Sequence, residues 1–345
     1  MSDPAPEEHQ TREAGAPFDA LNADVILRSI DGVDFRTTKS YLTRALHGLG
    51  DILQAGHLNG IGGVEEQQNG VLVIPLPETS AVLDLFLRTL YPAELDCPPL
   101  SSKLNLMAGV CKALNKYCVK SFPLAVSDAL MLAAKEEPEL VYAIACRYAS
   151  LAEVTKAAAR NTLKKPRRLD NLGESDIADI SSLQYHAIGQ YQIACRIAAV
   201  EACEPPNMRS MPSDTPGART IIPSQQDAFH KDCSCPIHWE HIQLQECYGP
   251  PDEPVDVDTH ECRYPVWLYE YLYAVRHEVL TGDTLCGEVA MTPMFLGQAI
   301  AAGKECPSCG TGVGVAEFIG YAQRLSQWID DALDCVAFQS TASAA

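Results

Sequence analysis

The N-terminal third of the chain carries the short apolar and alternating runs that are typical of β-strands. Residues 23–30 are mostly apolar and rich in β-branched side chains, and Asp31-Gly32 then supplies a hairpin turn, since both residue types tolerate positive φ. Residues 33–37 alternate apolar and polar positions and predict the returning strand. Residues 71–77 predict a third strand, whose prolines place its end at a sheet edge.

The pattern changes to a helical period after these strands. Thr79 can cap a helix on which Val82 and Phe86 lie four residues apart on one apolar face. Further helical faces follow, and the last third of the chain predicts two more, over 267–279 and 315–336. The predicted fold class is α+β, with a three-stranded sheet and packed helices first and an all-α C-terminal region after it.

Proline-rich polar stretches divide the chain. Residues 1–17 are acidic, with almost nothing apolar, and predict a disordered tail. Residues 205–228 combine proline with serine, aspartate and glycine, the composition of a linker. The predicted division is therefore a disordered tail at 1–17, a first domain at 18–120, a helical extension at 121–204, a linker at 205–228, a helical cysteine-containing module at 229–338 and a tail at 339–345.

The net charge and the hydropathy of the chain limit the classes of partner and the cellular compartments that we expect. The chain has 345 residues and a net charge of −19, and such a field repels nucleic acid, so we expect no nucleic-acid partner. No stretch of about 18 apolar residues is present, so we expect no membrane span. The N-terminus lacks the basic and apolar regions of a secretory signal. We therefore expect an intracellular protein, cytoplasmic or nuclear, with its 14 cysteines mostly reduced.

Four short segments of the first domain resemble a known family. They are the Asp-Val-Ile strand at 24–26, the Phe-x-x-x-Lys-x-x-Leu segment at 35–42, the Ile-Pro-Leu-Pro-Glu phrase at 74–78 and the helix ending in Leu-Tyr-Pro at 90–92. Together they resemble the BTB/POZ domain, and most of all that of fungal BTB-domain proteins. Those proteins often carry a helical C-terminal region with two cysteine pairs, which is similar to the arrangement in this chain.

The resemblance implies protein–protein interaction rather than catalysis. BTB domains homodimerise through apolar surface, so we expect a homodimer that also binds further, unknown proteins. In dimeric members a buried aspartate on the first strand lies near a basic residue on the entering helix, and Asp24 and Lys39 stand at those positions. Alternatively, Asp24 caps the following turn and Lys39 is solvated.

Some BTB proteins are substrate adaptors for cullin-type ubiquitin ligases, which makes a cullin a possible class of partner. The family contact is an apolar-x-Glu pattern after the first helix, and residues 52–56 lack that glutamate. The basic run from Lys164 to Arg168 predicts either a nuclear import signal or a solvated helix end.

The sharpest spacing of chemically active residues lies in the C-terminal module. Cys233-x-Cys235 is followed three residues later by His238, and Cys306-x-x-Cys309 lies about 70 residues further on. Zinc accepts thiolate and imidazole in a tetrahedral shell, and two short ligand pairs from separate segments commonly build it. The sequence thus gives a candidate zinc site of four cysteines, with His238 as the reserve ligand.

Other interpretations of these cysteines stay open. They could be buried packing residues, or a redox-active dithiol. The second possibility would make the module a thiol–disulfide enzyme, and a zinc with an open position would make it a zinc-dependent one. The Gly-x-Gly-x-Gly run at 310–314 does not fit a dinucleotide site, because the third glycine of G-x-G-x-x-G is missing and no strand precedes it.

Overall fold

The computed structural model describes residues 11–45, 67–90, 103–119, 121–164, 172–174, 178, 180–203, 235, 237–244 and 258–339. Over 44–45, 237–244 and 258–264 it describes the backbone. The chain divides into two compact units, one made of residues up to 161 with those of 168–184, the other of 162–167 with 185–339. This division differs from the predicted domains, because the helices after residue 120 belong in part to the first unit and in part to the second.

A five-stranded mixed sheet forms the first unit, in the order β1-β3-β2-β5-β4. The Asp31-Gly32 turn joins β2 to β3 in antiparallel register, with Gly32 at φ +76°, and β5 runs parallel to β2. The predicted hairpin and the predicted strand at 71–77 are thereby confirmed. The strands are β1 (Arg12–Glu13), β2 (Val25–Arg28), β3 (Val33–Thr37), β4 (Gln67–Gln68) and β5 (Val71–Pro75).

The prediction of three strands is wrong, because two short polar strands extend the sheet at its edges. The Arg12 N–H donates to the Gly32 carbonyl and the Ala14 N–H to that of Asp34, both at 2.9 Å. The predicted disordered tail therefore does not reach residue 17. Strands of two polar residues bury no apolar side chain, so the alternation of apolar and polar positions by which strands are predicted is absent from them.

Helices account for most of the rest of the described chain. In the first unit α2 packs against α3, where the rings of Phe86 and Tyr117 lie 5.6 Å apart in the core. The helices are α1 (Lys39–Ala45), α2 (Ser80–Leu90), α3 (Leu104–Lys116), α4 (Leu124–Ala133), α5 (Pro138–Ala145), α6 (Ala152–Thr162), α7 (Ser182–Ala202), α8 (Val266–Thr281), α9 (Pro293–Gly303) and α10 (Gly312–Cys335). None of the described helices is long and apolar enough to cross a bilayer.

The prediction of an all-α C-terminal region is also wrong. Strands β6 (Ile237–Leu244) and β7 (Asp258–Pro265) form an antiparallel hairpin in which Ile237 pairs with Pro265 and Leu244 with Asp258. The next helix, α8, begins directly after β7 at Val266. Histidine, glutamate and glutamine fill much of β6, so it lacks the β-branched, apolar composition by which strands are recognised.

Arg196 on α7 holds the end of α8 within the second unit. Its guanidinium donates to the carbonyl oxygens of Val279 at 2.8 Å, Leu280 at 3.0 Å and Gly282 at 2.8 Å. The last carbonyls of a helix have no intrahelical donor, and a cation there also complements the helix dipole. The Arg196 side chain therefore supplies hydrogen-bond donors to carbonyl groups at the C-terminal end of α8.

An ion pair crosses the first two strands of the sheet. Arg28 and Asp34 are direct partners in the β2–β3 register, and the guanidinium donates to both carboxylate oxygens, at 2.6 and 3.0 Å. The Asp34 side chain is 2% exposed, and Arg28 also donates to the Gln68 amide oxygen at 3.2 Å. Removing one member of such a pair leaves the other charge in an apolar site without compensation.

Replacing Arg28 by methionine should destabilise the first unit by about 3–5 kcal/mol, because Asp34 would stay buried as an unpaired charge. Arg36→Met is the matched control, because the partner of Arg36, Glu13, is 60% exposed and such pairs contribute about 1 kcal/mol or less. Urea unfolding followed by circular dichroism measures both. Equal losses in the two variants would show that burial of the Arg28–Asp34 pair has no special role.

Asp31 links the β2–β3 turn to the start of α2. Its carboxylate accepts from the Ser80 N–H at 2.7 Å and from the Ser80 hydroxyl at 2.5 Å. The hydrogen bond from the Ser80 side chain is the main reason that the pKa of Asp31 falls from 3.8 to about 2. A carboxylate at this position also meets the positive end of the helix dipole.

The lowered pKa of Asp31 predicts a pH dependence of stability. The ionised carboxylate stabilises the fold above its unfolded pKa of 3.8, and this contribution is lost as the pH falls toward 2. The difference in unfolding free energy between the wild type and Asp31→Asn should therefore shrink across that interval. Asp128→Asn, at an exposed position of α4, is the matched control for the loss of a surface carboxylate. A difference that stays constant from pH 4 to pH 2 would contradict the assignment.

Candidate metal centre

Two of the predicted cysteines lie in a tight turn between α9 and α10. The Cys306 N–H donates to the Gly303 carbonyl at 3.1 Å, and the Gly310 N–H donates to the Cys306 carbonyl at 2.9 Å. These bonds fold the Cys-Pro-Ser-Cys-Gly segment back on the end of α9. A side chain at Gly310 would collide with the Lys304 carbonyl oxygen, so this close backbone approach requires glycine.

The start of α10 fixes the same turn from its other side. The Thr311 hydroxyl accepts from the Gly314 N–H at 3.1 Å and donates to the Ser308 carbonyl at 2.9 Å. A Cβ at Gly314 would lie 2.6 Å from the Ser308 oxygen, whereas one at Gly312 would meet nothing within 4 Å. Two of the three glycines in this run thus serve close backbone contacts around the cysteines.

Cys235 reaches this turn from a distant part of the chain. It stands two residues before β6, and its Sγ lies 3.9 Å from that of Cys309. The sulfurs of Cys235, Cys306 and Cys309 all lie within 4.8 Å of one another. Cys306 and Cys309 are 7% and 6% exposed, and Cys235 is half-buried.

A pair of aromatic side chains lies beside the cysteine turn. Gly303 lies between the two: a Cβ placed on it would be 3.6 Å from the Cys309 Cβ and 3.7 Å from the indole ring of Trp267. Trp267, on α8, is buried and meets Phe318 of α10 edge to face, with ring centroids 5.1 Å apart. Since α8 continues β7, this packing ties the hairpin, the turn and the last helix together.

The distance between the Cys235 and Cys309 sulfurs is that of two thiolates on one zinc ion and is longer than a disulfide bond. With Zn–S bonds of about 2.3 Å, tetrahedral geometry puts two thiolates about 3.8 Å apart. The observed 3.9 Å between Cys235 and Cys309 matches that value, whereas bonded sulfurs would be about 2.05 Å apart. Three thiolates can supply three of the four ligands that a structural zinc needs.

Of the two remaining predicted ligands, Cys233 and His238, the structure describes only the backbone of His238. Cys233 lies outside the described residues. The backbone of His238 lies in β6, opposite Tyr264 in the hairpin register. The structure thus brings together three of the four predicted cysteines, and both candidates for a fourth ligand lie within three residues of Cys235.

The other predicted site, at Asp24 and Lys39, differs from the expectation. Asp24 is exposed rather than buried, and its carboxylate accepts from the backbone N–H of Lys39 at 2.6 Å. In the structure Asp24 is an exposed cap at the start of α1 and Lys39 is half-buried, so the contact uses the Lys39 backbone rather than its charged side chain. Sequence reasoning missed the buried pair of Arg28 and Asp34, although each lies three residues from Asp31 of the predicted hairpin turn, which was a usable signal.

No protein-family model, curated protein or solved structure matches the chain. The assignment to the BTB/POZ family therefore remains a prediction that depends on the motifs of the sequence.

Gly310→Ala should destabilise the second unit by about 1–3 kcal/mol, because the added Cβ forces the Lys304 backbone out of the cysteine turn. Gly312→Ala is the matched control and should change stability by about 0.5 kcal/mol or less, since no atom lies near its Cβ position. The three tryptophans stand at 239, 267 and 328, so urea unfolding followed by their fluorescence reports on this unit. Equal destabilisation by the two variants would contradict this account of the turn.

Proposed function

We propose that the chain is a non-enzymatic protein–protein interaction protein whose C-terminal unit is held together by a structural zinc ion. The convergence of three cysteine sulfurs within 4.8 Å carries this proposal. Thiolates are soft ligands that favour zinc over magnesium or calcium, and a ligand set dominated by cysteine is typical of structural sites.

Burial favours a structural site over a catalytic one. A catalytic zinc keeps one position open to water and substrate, whereas a structural zinc is closed by four protein ligands. Cys306 and Cys309 are buried, and their turn is fixed on both sides by backbone hydrogen bonds. The ion would join Cys235 to a turn 74 residues away, which constrains the unfolded chain more than a local link would.

Two residues can complete the shell. Cys233 would give a four-cysteine site. His238 would give three sulfurs and one nitrogen, and it follows Cys235 at the same three-residue spacing that separates Cys306 from Cys309. Both sets are known types of structural zinc site.

The interaction part of the proposal has two supports. The first is the resemblance to BTB domains, which implies self-association of the first unit. The second is that some exposed large apolar side chains share one helix face, such as Ile193 and Ile197 one turn apart on α7, since contiguous exposed apolar surface often marks protein interfaces. In the first unit the exposed large apolar side chains include Leu21, Ile30, Leu124 and Leu132; in the second they include Ile193, Ile197, Tyr273 and Leu280.

The rival functions make different demands on the same residues. A thiol–disulfide enzyme would use Cys306 and Cys309 as a redox pair, and its activity would not need Cys235 or zinc. An adaptor for a cullin would need a binding segment after α1, but residues 52–56 lie outside the described residues. The nuclear-signal hypothesis likewise concerns a run of which the structure describes only Lys164.

Native mass spectrometry of the full chain tests both halves of the proposal. We expect a dimer that carries one zinc ion per chain. Cys306→Ser should lose the metal, because it removes one of the three converging sulfurs, while Cys335→Ser, at an exposed position at the end of α10, should keep it. A chain purified with zinc in the medium that carries no metal would refute the zinc site. A metal-loaded monomer at micromolar concentration would refute self-association alone.

A further inference from the structure

The three converging cysteines differ in their access to solvent. Cys306 and Cys309 are buried, whereas Cys235 is half-buried and lies just before the hairpin. A small oxidant arriving from solvent therefore meets the Cys235 sulfur first. The Sγ of Cys309 lies 3.9 Å away, so a relative shift of about 2 Å would bring the two sulfurs to disulfide distance.

We propose that Cys235 and Cys309 form the oxidation site of this chain and that peroxides are its oxidants. Where the cysteines hold zinc this inference rests on the proposed function, but the disulfide itself does not require the metal. The Cys235 thiolate attacks the peroxide, takes one oxygen as a sulfenic acid and releases hydroxide, or alkoxide from an organic peroxide. The Cys309 thiolate then attacks that sulfur, forms the disulfide and expels a second hydroxide. Two thiolates are oxidised by two electrons, and one peroxide bond is reduced.

The identity of this disulfide decides what oxidation does to the fold. A bond between Cys235 and Cys309 would consume two of the three thiolates that could hold zinc, and it would join the same two segments that the ion would join. A bond between Cys306 and Cys309 would lie within a single turn and would leave Cys235 unattached. The first product exchanges a metal link for a covalent one, and the C-terminal unit stays closed.

Other cysteines of the described chain are less suited to this chemistry. Burial raises the pKa of both Cys111 and Cys146 to about 12, so these thiols stay protonated and react poorly with peroxide. Cys118 and Cys335 are exposed and will react, but they lie outside the three-sulfur group. The double variant Cys118→Ser/Cys335→Ser therefore removes the two exposed thiols of the described residues, and peptide mapping distinguishes the site from the remaining cysteines.

The test treats this double variant with hydrogen peroxide, both zinc-loaded and after zinc removal by a chelator. Zinc release is followed with a chromophoric chelator, and disulfides are mapped by mass spectrometry of non-reduced peptides. We expect one zinc released per chain and one peptide pair linked through Cys235 and Cys309. Adding Cys306→Ser should preserve that link, whereas adding Cys235→Ser should abolish it.

The outcomes separate this inference from the proposed zinc site. A chain that never binds zinc but still forms the Cys235–Cys309 disulfide refutes the metal and keeps the oxidation site. A zinc-loaded chain in which peroxide links Cys306 to Cys309 keeps the metal and overturns the inference. Oxidation of Cys235 to sulfinic acid without any disulfide also overturns it, because Cys309 would then not act as the resolving thiol.

Discussion

In the second unit Cys235 approaches the turn between α9 and α10, and this approach is the contact on which the proposed zinc site depends. A chain segment just before a mostly polar hairpin has little apolar surface with which to hold its place. The three sulfurs supply the missing attachment if a metal binds them, since metal binding to a site absent from the unfolded chain contributes directly to folding. The turn that receives Cys235 is prepared by backbone hydrogen bonds and by the close approach at Gly310.

The first unit is stabilised by an apolar core and by polar side chains that cap its helices. Its sheet buries Ile26, Leu27 and Phe35, and α2 adds Phe86 to the same core. Polar contacts then fix the ends of the elements: Asp31 holds the start of α2, and Asp24 holds the start of α1. Among the described residues, the three cysteines whose sulfurs converge lie in the second unit.

The sequence predicted those elements that bury a regular apolar face. The Asp31-Gly32 hairpin, the strand after residue 70 and the face of α2 all follow from side-chain period and turn chemistry. The two-residue strands and the β6–β7 hairpin could not be predicted in this way, because tertiary pairing rather than apolar alternation forms them. The same limit explains why the sequence left two interpretations of Asp24 open, since its contact with the Lys39 N–H is set by the position of α1 in space.

The candidate site was easier to predict than the strands around it. Ligand spacing at Cys306 and Cys309 is a local property that sequence shows directly, and proline and glycine beside them indicate a tight turn. The approach of Cys235 to Cys306 and Cys309 is a long-range property of the fold. In the sequence, only the short spacing of Cys235 from Cys233 and His238 indicated that Cys235 could be a ligand. The charge pair of Arg28 and Asp34 matches no sequence motif, and its only signal was the symmetric placement of the two residues about Asp31, which becomes a contact through strand register.

The central claim is that Cys235, Cys306 and Cys309 bind one zinc ion together. X-ray absorption at the zinc edge of the purified full chain measures it most directly, because the first shell reports the number and type of ligand atoms. The account predicts at least three sulfurs at about 2.3 Å from the metal. A shell made only of oxygen and nitrogen atoms, or one containing two sulfurs or fewer, would contradict it.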